Sequence, residues 1–153
     1  MTVAVSSVRG AAHEGLERAR AHLLSLQHHD GWWKGELETN VTIDAEDLFL
    51  RRYLGLDDDA ITAATAHWIR GKQRSDGTWA TYYGGPGDLS TTVEAYVALR
   101  LAGDPADAEH MRRAAEFVRD GGGIEGSRVF TRMWLSLLSL WSWNDSAARF
   151  TVN

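Results

Sequence analysis

The sequence predicts an all-α protein built from about three helical hairpins, arranged as an open solenoid or a closed toroid. Three observations carry this prediction. Apolar residues recur with helical spacing in six segments, no segment alternates polar and apolar residues over the length of a strand, and one turn motif occurs twice. Because a single hairpin leaves an apolar face uncovered, hairpins that repeat roughly every 45–50 residues are expected to stack on their neighbours.

Composition limits the class of protein. The chain has 153 residues, enough for one domain with a single core. It carries 16 Lys and Arg against 21 Asp and Glu, which argues against nucleic-acid binding because phosphate affinity depends on clustered basic side chains. The absence of Cys excludes disulfides, thiolate catalysis and Cys-ligated zinc. No segment is typical of a secretory signal or a membrane span, so the sequence predicts a soluble, cytoplasmic protein.

The repeated turn has the pattern Gln-x-x-Asp-Gly-x-Trp, from Gln27 to Trp33 and again from Gln73 to Trp79. Asp-Gly favours a tight turn in which the glycine adopts a positive φ. The Gln amide can bond to backbone groups that an adjacent helix end exposes, and the Trp ring can stack over that amide. The motif therefore predicts a structural clamp between neighbouring outer helices, formed by Gln27, Gly31, Trp33, Gln73, Gly77 and Trp79.

The first four helices follow from the repeat. Apolar spacing predicts the first over residues 16–26, directly before the first turn, and the second begins near residues 42–46. The acidic residues 57–59 open the third helix, which runs to residue 72. The fourth contains residues 92–96, whose pattern matches that of residues 42–46.

The third hairpin is degenerate. Its first helix is expected over residues 108–119 and its second over residues 129–141, with three glycines, Gly121 to Gly123, in place of the Gln/Asp/Gly/Trp turn. The predicted helical region is therefore 16–141, preceded by an N-terminal tail over residues 1–15 and followed by a C-terminal tail over residues 142–153.

The turn pattern and the residues around it resemble the squalene–hopene cyclases, bacterial members of the triterpene cyclase family. The resemblance covers roughly residues 16–140 and only the N-terminal portion of that family. It is specific, because its last two blocks are not general features of helical toroids. The matching blocks are residues 31–33, 40–42, 45–46, 73–80, 84–86, 91–99, 122–125 and 127–135. Residues 142–153 depart from the family pattern, which indicates a truncation or a shifted reading frame there.

The resemblance implies a fold and an activity. Family enzymes enclose a hydrophobic cavity between two α/α-barrel domains and take up squalene from one membrane leaflet. An Asp-x-Asp-Asp acid protonates the terminal alkene, and aromatic rings stabilise the carbocation without offering it a nucleophile. This sequence contains no Asp-x-Asp-Asp. The resemblance therefore implies an incomplete (α/α)6 barrel that is inactive alone, with no catalytic residue, cofactor or metal of its own.

The resemblance also implies roles for individual positions. Leu37 and Phe130 match positions that line the cavity. Four further residues match a polar set that orders water where the final cation is quenched: Glu46, Glu94, Arg128 and Trp134. From chemistry alone, an Arg among apolar helices favours a carboxylate partner, and either Glu46 or Glu94 could supply one to Arg128.

Three clusters of potential ligands have competing interpretations. Residues 44–47 are similar to the acid motif in spacing, and residues 57–59 resemble a magnesium site, but helix starts and caps explain both. His28, His29 and Asp30 could bind a metal ion. Adjacent side chains on a helix point about 100° apart, so the sequence predicts surface histidines here.

Other functions stay open. The chain could be a non-catalytic subunit or remnant that completes its barrel with a C-terminal cyclase chain, or that self-associates through open apolar faces. A diterpene cyclase shares the fold and the acid chemistry, and a toroidal glycosidase would need two placed carboxylates. The expected ligand of the intact enzyme is squalene or a similar isoprenoid, with no nucleic acid, and with peripheral attachment to the inner membrane only in that intact enzyme.

Overall fold

The computed structural model describes residues 2–34 and 40–144. Its six α-helices and one short 3-10 helix confirm the all-α prediction. The described residues contain no β-strand, only an isolated antiparallel bridge between Ala80 and Gly87. Nor does any helix in the described ranges have the length and apolar character that crossing a bilayer requires. The chain divides into two compact units, Met1–Glu38 and Thr39–Asn153.

The first unit contains helix α1 (Thr2–Ser25) and the first turn. Apolar spacing predicts a helix only from Leu16, whereas the structure continues it back to Thr2. Residues 2–15 contain only three alanines beside two glycines, so neither apolar spacing nor helix propensity predicts this extension. An ion pair one helical turn apart, Glu14 to Arg18 at 3.8 Å, adds local support.

The second unit contains the other helices. They are α2 (Val41–Leu54), α3 (Asp59–Gly71), α4 (Leu89–Leu101), α5 (Glu109–Asp120), the 3-10 helix (Ile124–Gly126) and α6 (Val129–Leu137). Helix α4 packs against α2, α3, α5 and α6. Because it is surrounded, eight of its residues are buried, including polar Ser90, Thr91, Thr92 and Glu94. A buried polar segment of this kind indicates a site rather than simple packing.

The core of the second unit lies where α2, α3, α4 and α5 meet. Its large members are Phe49, Ile69, Trp79, Leu99 and Met111, all fully buried. Smaller core residues extend each helix's contribution at helical spacing, as Val41, Ala45 and Leu48 do in α2, so burial of one face per helix supplies the main stabilising term.

Side-chain caps start three of these helices. Asp58 Oδ1 accepts a hydrogen bond from the Ile61 amide at 2.9 Å, which confirms residues 57–59 as a helix start. The neighbouring Asp57 pairs with Arg52 at 3.0 Å. The other two caps are Asn40 on α2 and Asp88 on α4.

Helix α6 ends at Leu137, before the predicted end at Trp141. Ser139 adopts a left-handed conformation with φ of 60°. The Leu140 amide donates to the Leu135 carbonyl at 2.8 Å and the Ser139 amide to Ser136 at 3.0 Å, the bond pair of a Schellman stop. Because glycine usually fills that position, a serine there does not predict the early end of the helix.

Candidate functional site

The first copy of the turn is closed by its own side chains. Gly31 has a φ of 91°. The Gln27 amide donates to the Gly31 carbonyl at 2.7 Å, and the Trp33 indole N–H donates to the Leu23 carbonyl at 2.6 Å. The ring therefore closes back on the last turn of α1, where carbonyl groups lack helical partners.

The second copy repeats these bonds with the same spacing. Gly77 has a φ of 84°, the Gln73 amide donates to Gly77 at 2.9 Å, and the Trp79 indole donates to Ile69 at 2.7 Å. Gln73 makes one further bond, to the His110 carbonyl of α5 at 2.9 Å. This side chain therefore ties the end of α3 to the start of α5.

A pocket of about 340 Å³ opens between α2, α4 and α6. It brings together all four residues of the predicted polar set and one of the two predicted cavity residues. Leu37, the other one, lies outside the described residues. The lining residues are Thr42, Glu46, Glu94, Arg128, Phe130 and Trp134.

Glu94 is the most buried member of the pocket, with 1% of its surface exposed. The Thr131 hydroxyl donates to its Oε1 atom, while Oε2 is buried and has no hydrogen-bond partner among the described residues. Arg128 Nη2 lies 3.7 Å from Oε2. Burial raises the pKa of Glu94, and the Thr131 bond and the Arg128 charge oppose that rise. The carboxylate thus has one oxygen fixed and the other available.

Arg128 stands immediately before α6 and is held mainly by its backbone. Its amide donates to the Ser90 hydroxyl at 2.8 Å. Its guanidinium lies 3.4 Å from the Thr91 hydroxyl and 3.8 Å from Asp88 as well as near Glu94. Of the two carboxylates predicted as partners, Glu94 pairs with Arg128. These contacts are long and the side chain is 48% exposed, so the guanidinium is accessible to a ligand.

Aromatic rings form the other side of the pocket. Phe130 and Trp134 are one helical turn apart on α6 and share a face. Trp134 is partly buried beside Phe49, with ring centroids 6.0 Å apart, while Phe130 is 68% exposed. The site therefore combines aromatic faces, which attract a cation, with polar groups that can hold water.

Three residues near the pocket escaped the sequence analysis. Thr131 holds Glu94, Asp88 faces Arg128, and Thr42 contributes a buried hydroxyl with no hydrogen-bond partner among the described residues. Helical spacing could have found Thr42, which lies one turn before Glu46 on α2. The other two depend on packing between α4 and α6.

The acids at residues 44–47 do not converge on one site. Asp47 pairs with Arg51 at 2.6 Å on the same helix, whereas Glu46 faces the pocket. Burial raises the pKa of Asp44, opposed by a hydrogen bond to Trp68. Since the three carboxylates have separate surroundings, the helix-start interpretation of this segment fits the structure better than a shared acid site.

Comparison with known proteins identifies the family. The family model of the squalene–hopene cyclase N-terminal domain matches residues 16–148. The chain is 48% identical over 128 residues to the squalene–hopene cyclase of Alicyclobacillus acidocaldarius, covering 84% of this chain and 20% of that protein. It is 43% identical over 129 residues to the squalene–hopene cyclase of Zymomonas mobilis, again 84% of this chain and 20% of the relative.

A third relative has a different name. The dammaradiene synthase of Dryopteris crassirhizoma is 38% identical over 130 residues, which cover 85% of this chain and 19% of the synthase. The chain thus spans about one fifth of the length of these relatives. It belongs to the squalene–hopene cyclase family and corresponds to the N-terminal domain of that family.

Proposed function

We propose that this chain supplies the N-terminal part of a cyclase that converts squalene to hopene, and that its pocket forms part of the wall of that enzyme's cavity. The observation that supports this most is the convergence of Glu94, Arg128 and Trp134 from two helices on one pocket. A buried carboxylate with a cation beside its second oxygen, together with aromatic faces, is what the end of a carbocation cascade needs.

The pocket's chemistry is quenching. The final cation ends either by losing a proton, which gives an alkene, or by adding water, which gives an alcohol. Water held between Glu94 Oε2, the Arg128 guanidinium and the Thr42 hydroxyl accepts the proton, and Glu94 stabilises the hydronium that forms. The rings of Phe130 and Trp134 stabilise the cation until then without reacting with it.

Initiation requires a group that this sequence lacks. Protonating an alkene takes a strong acid, and no Asp-x-Asp-Asp motif occurs in these 153 residues. Asp44, the other carboxyl among the described residues whose pKa burial raises, lies outside the residues that line the pocket. The acid is therefore supplied elsewhere in the cyclase, and we expect the chain alone to leave squalene unchanged. Attachment to the inner membrane and binding to a C-terminal cyclase chain belong to the same proposal.

A chimera tests the proposal. The matching segment of the Alicyclobacillus acidocaldarius enzyme is replaced by this chain's residues, and products from squalene are measured by gas chromatography. We expect hopene from the chimera and none from the isolated chain. A folded chimera that consumes no squalene, or hopene formed by the chain alone, would contradict the proposal.

Variants of the chimera test whether the pocket takes part in quenching the cation. Glu94→Ala removes the carboxylate that holds the water, so we expect the ratio of alkene to alcohol to change and total turnover to fall. Glu116→Ala removes an exposed glutamate on α5 and serves as the matched control. Equal product ratios in the two variants would show that Glu94 takes no part in quenching. The membership of the chain in the family would not be affected.

A further inference from the structure

The first turn contains a cluster of side chains that the proposed function does not use. One ligand atom from each of His28, His29 and Asp30 lies within 4.8 Å of the others. Adjacent side chains diverge by about 100° only if these residues lie on a helix. In the structure α1 ends at Ser25, and the three residues form a turn instead. A turn lets adjacent side chains converge.

The distances suit a small divalent ion. His28 Nδ1 lies 3.4 Å from Asp30 Oδ2, and His29 Nε2 lies 3.2 Å from Asp30 Oδ1. In a tetrahedral zinc site with bonds of about 2.0–2.1 Å, neighbouring ligand atoms are about 3.3 Å apart. Both pairs are therefore already close to ligand spacing.

Two contacts organise the ligands in advance. The His28 ring stacks on Trp32, with centroids 4.1 Å apart and planes inclined by 16°. The Asp30 amide donates to His28 Nδ1 at 3.3 Å, which directs the His28 ring toward Asp30, and a bound metal ion would replace this hydrogen bond on Nδ1. The turn itself is held by the Gln27 bond to Gly31.

We propose that His28, His29 and Asp30 form a binding site for a divalent transition-metal ion, of which zinc is the best fit. Two imidazoles and one carboxylate favour zinc over magnesium or calcium, which prefer oxygen ligands alone. Both His29 and Asp30 are exposed, so water completes the coordination. The ion joins residues 28, 29 and 30 and stabilises the turn by mass action.

The second turn provides a natural control. It has the same backbone bonds, since the Arg74 amide donates to Thr78 as the His28 amide donates to Trp32, both at 2.9 Å. However, Arg74 and Ser75 stand where the first turn has its histidines. The double variant His28→Arg/His29→Ser therefore replaces both histidine ligands with the residues that the second turn carries at the same positions.

The test is a titration of the purified chain with zinc chloride at pH 7.5, followed by calorimetry. We expect one zinc per chain in the wild type and affinity about tenfold lower or worse in His28→Arg/His29→Ser and in Asp30→Asn. The variant His13→Ala/His22→Ala removes two exposed histidines from α1 and should bind as the wild type does. Magnesium chloride should produce no binding heat.

Cobalt(II) absorption gives a second readout, because its intensity reports tetrahedral coordination rather than loose attachment to surface histidines. Circular dichroism checks that each variant keeps its helices. Equal zinc affinity in the wild type and in His28→Arg/His29→Ser would overturn the proposal. So would equal losses in the His13→Ala/His22→Ala control, or a wild type that binds no zinc.

Discussion

The two turns share a conformation and differ in their surroundings. Each has a glycine of positive φ and the same Gln and Trp bonds to carbonyl groups. Yet Trp33 is 49% exposed and Trp79 only 1%. A Cβ added at Gly77 would lie 2.5 Å from Arg113 Cβ, whereas at Gly31 the nearest atom is the Gln27 amide at 4.0 Å. Local sequence therefore determines the conformation of each turn. Packing against α5 determines how much the second turn contributes to the free energy of unfolding.

The largest expected difference is at the two tryptophans. Trp79→Ala leaves a cavity in the core and removes the indole bond to Ile69, so we expect a loss of about 3–5 kcal/mol in the free energy of unfolding. Trp33→Ala removes a half-exposed ring and one bond, and should cost only about 1 kcal/mol. Urea unfolding followed by circular dichroism measures both. Equal losses would show that the two turns are embedded alike.

Alanine substitutions at Gly31 and Gly77 distinguish the cost of backbone strain from the cost of packing. Either Gly31→Ala or Gly77→Ala puts a side chain in the left-handed region, at about 1–2 kcal/mol. At Gly77 the new methyl group also meets the backbone of α5 near Arg113, which adds about 1–3 kcal/mol of overpacking. The same urea measurement should therefore rank Gly77→Ala well below Gly31→Ala in stability. A difference near zero would mean that α5 moves aside freely.

The polar surroundings of the second turn centre on Asp104, which is buried between α3 and α5. Arg70 donates to it with two groups, Nε at 2.8 Å and Nη2, and His110 lies 2.7 Å away. Asp104→Asn keeps the shape but loses charge-assisted bonds, so we expect about 1.5–3 kcal/mol of destabilisation. The exposed pair of Arg52 with Asp57 provides the control, since Asp57→Asn should change stability little.

Low pH should destabilise the fold partly through the same Asp104 carboxylate. The Arg70 hydrogen bonds, and then the single hydrogen bond with His110, hold the pKa of Asp104 below its usual range. Its contribution to stability is therefore complete above the unfolded pKa, about 3.9, and is lost as pH falls through the lower folded value. Thermal melts of the wild type and Asp104→Asn should differ most above about pH 4 and converge in stronger acid. A constant difference down to pH 2 would assign the effect to shape alone.

Sequence predicted most where structure is local. Asp-Gly with Gln and Trp at fixed spacing is enough to define both turns, and helical spacing identified all six helices of the described residues and, with the resemblance, the family. Sequence-based prediction failed at the ends of two helices and at one turn. Ser139 ends α6 in a conformation usually reserved for glycine, and α1 extends back to Thr2 through a segment without apolar spacing. Convergence of His28, His29 and Asp30 escaped because a turn was treated as a helix.

The pocket shows the same division. Glu46, Glu94, Arg128 and Trp134 were identified by resemblance to a family, and they lie around one cavity. Their roles stay predictions. Thr131 donates a hydrogen bond to Glu94, and the Ser90 hydroxyl accepts one from the Arg128 amide. Both contacts depend on the packing of α6 against α4, which no sequence pattern predicts.

The smallest effect, and the most specific to the clamp, is at the glutamines. Gln73 bonds to Gly77 within the turn and to His110 on α5, whereas the Gln27 amide bonds to Gly31. At about 0.5–1.5 kcal/mol for each bond, Gln73→Ala should cost more than Gln27→Ala by about the value of one bond. Hydrogen exchange adds a spatial readout, because losing the His110 bond should increase exchange at the start of α5 while leaving α4 protected. If exchange at α5 stays unchanged, the Gln73 amide closes only its own turn, and α5 is held by core packing, Asp104 and the Arg113 bond to the Ser75 carbonyl.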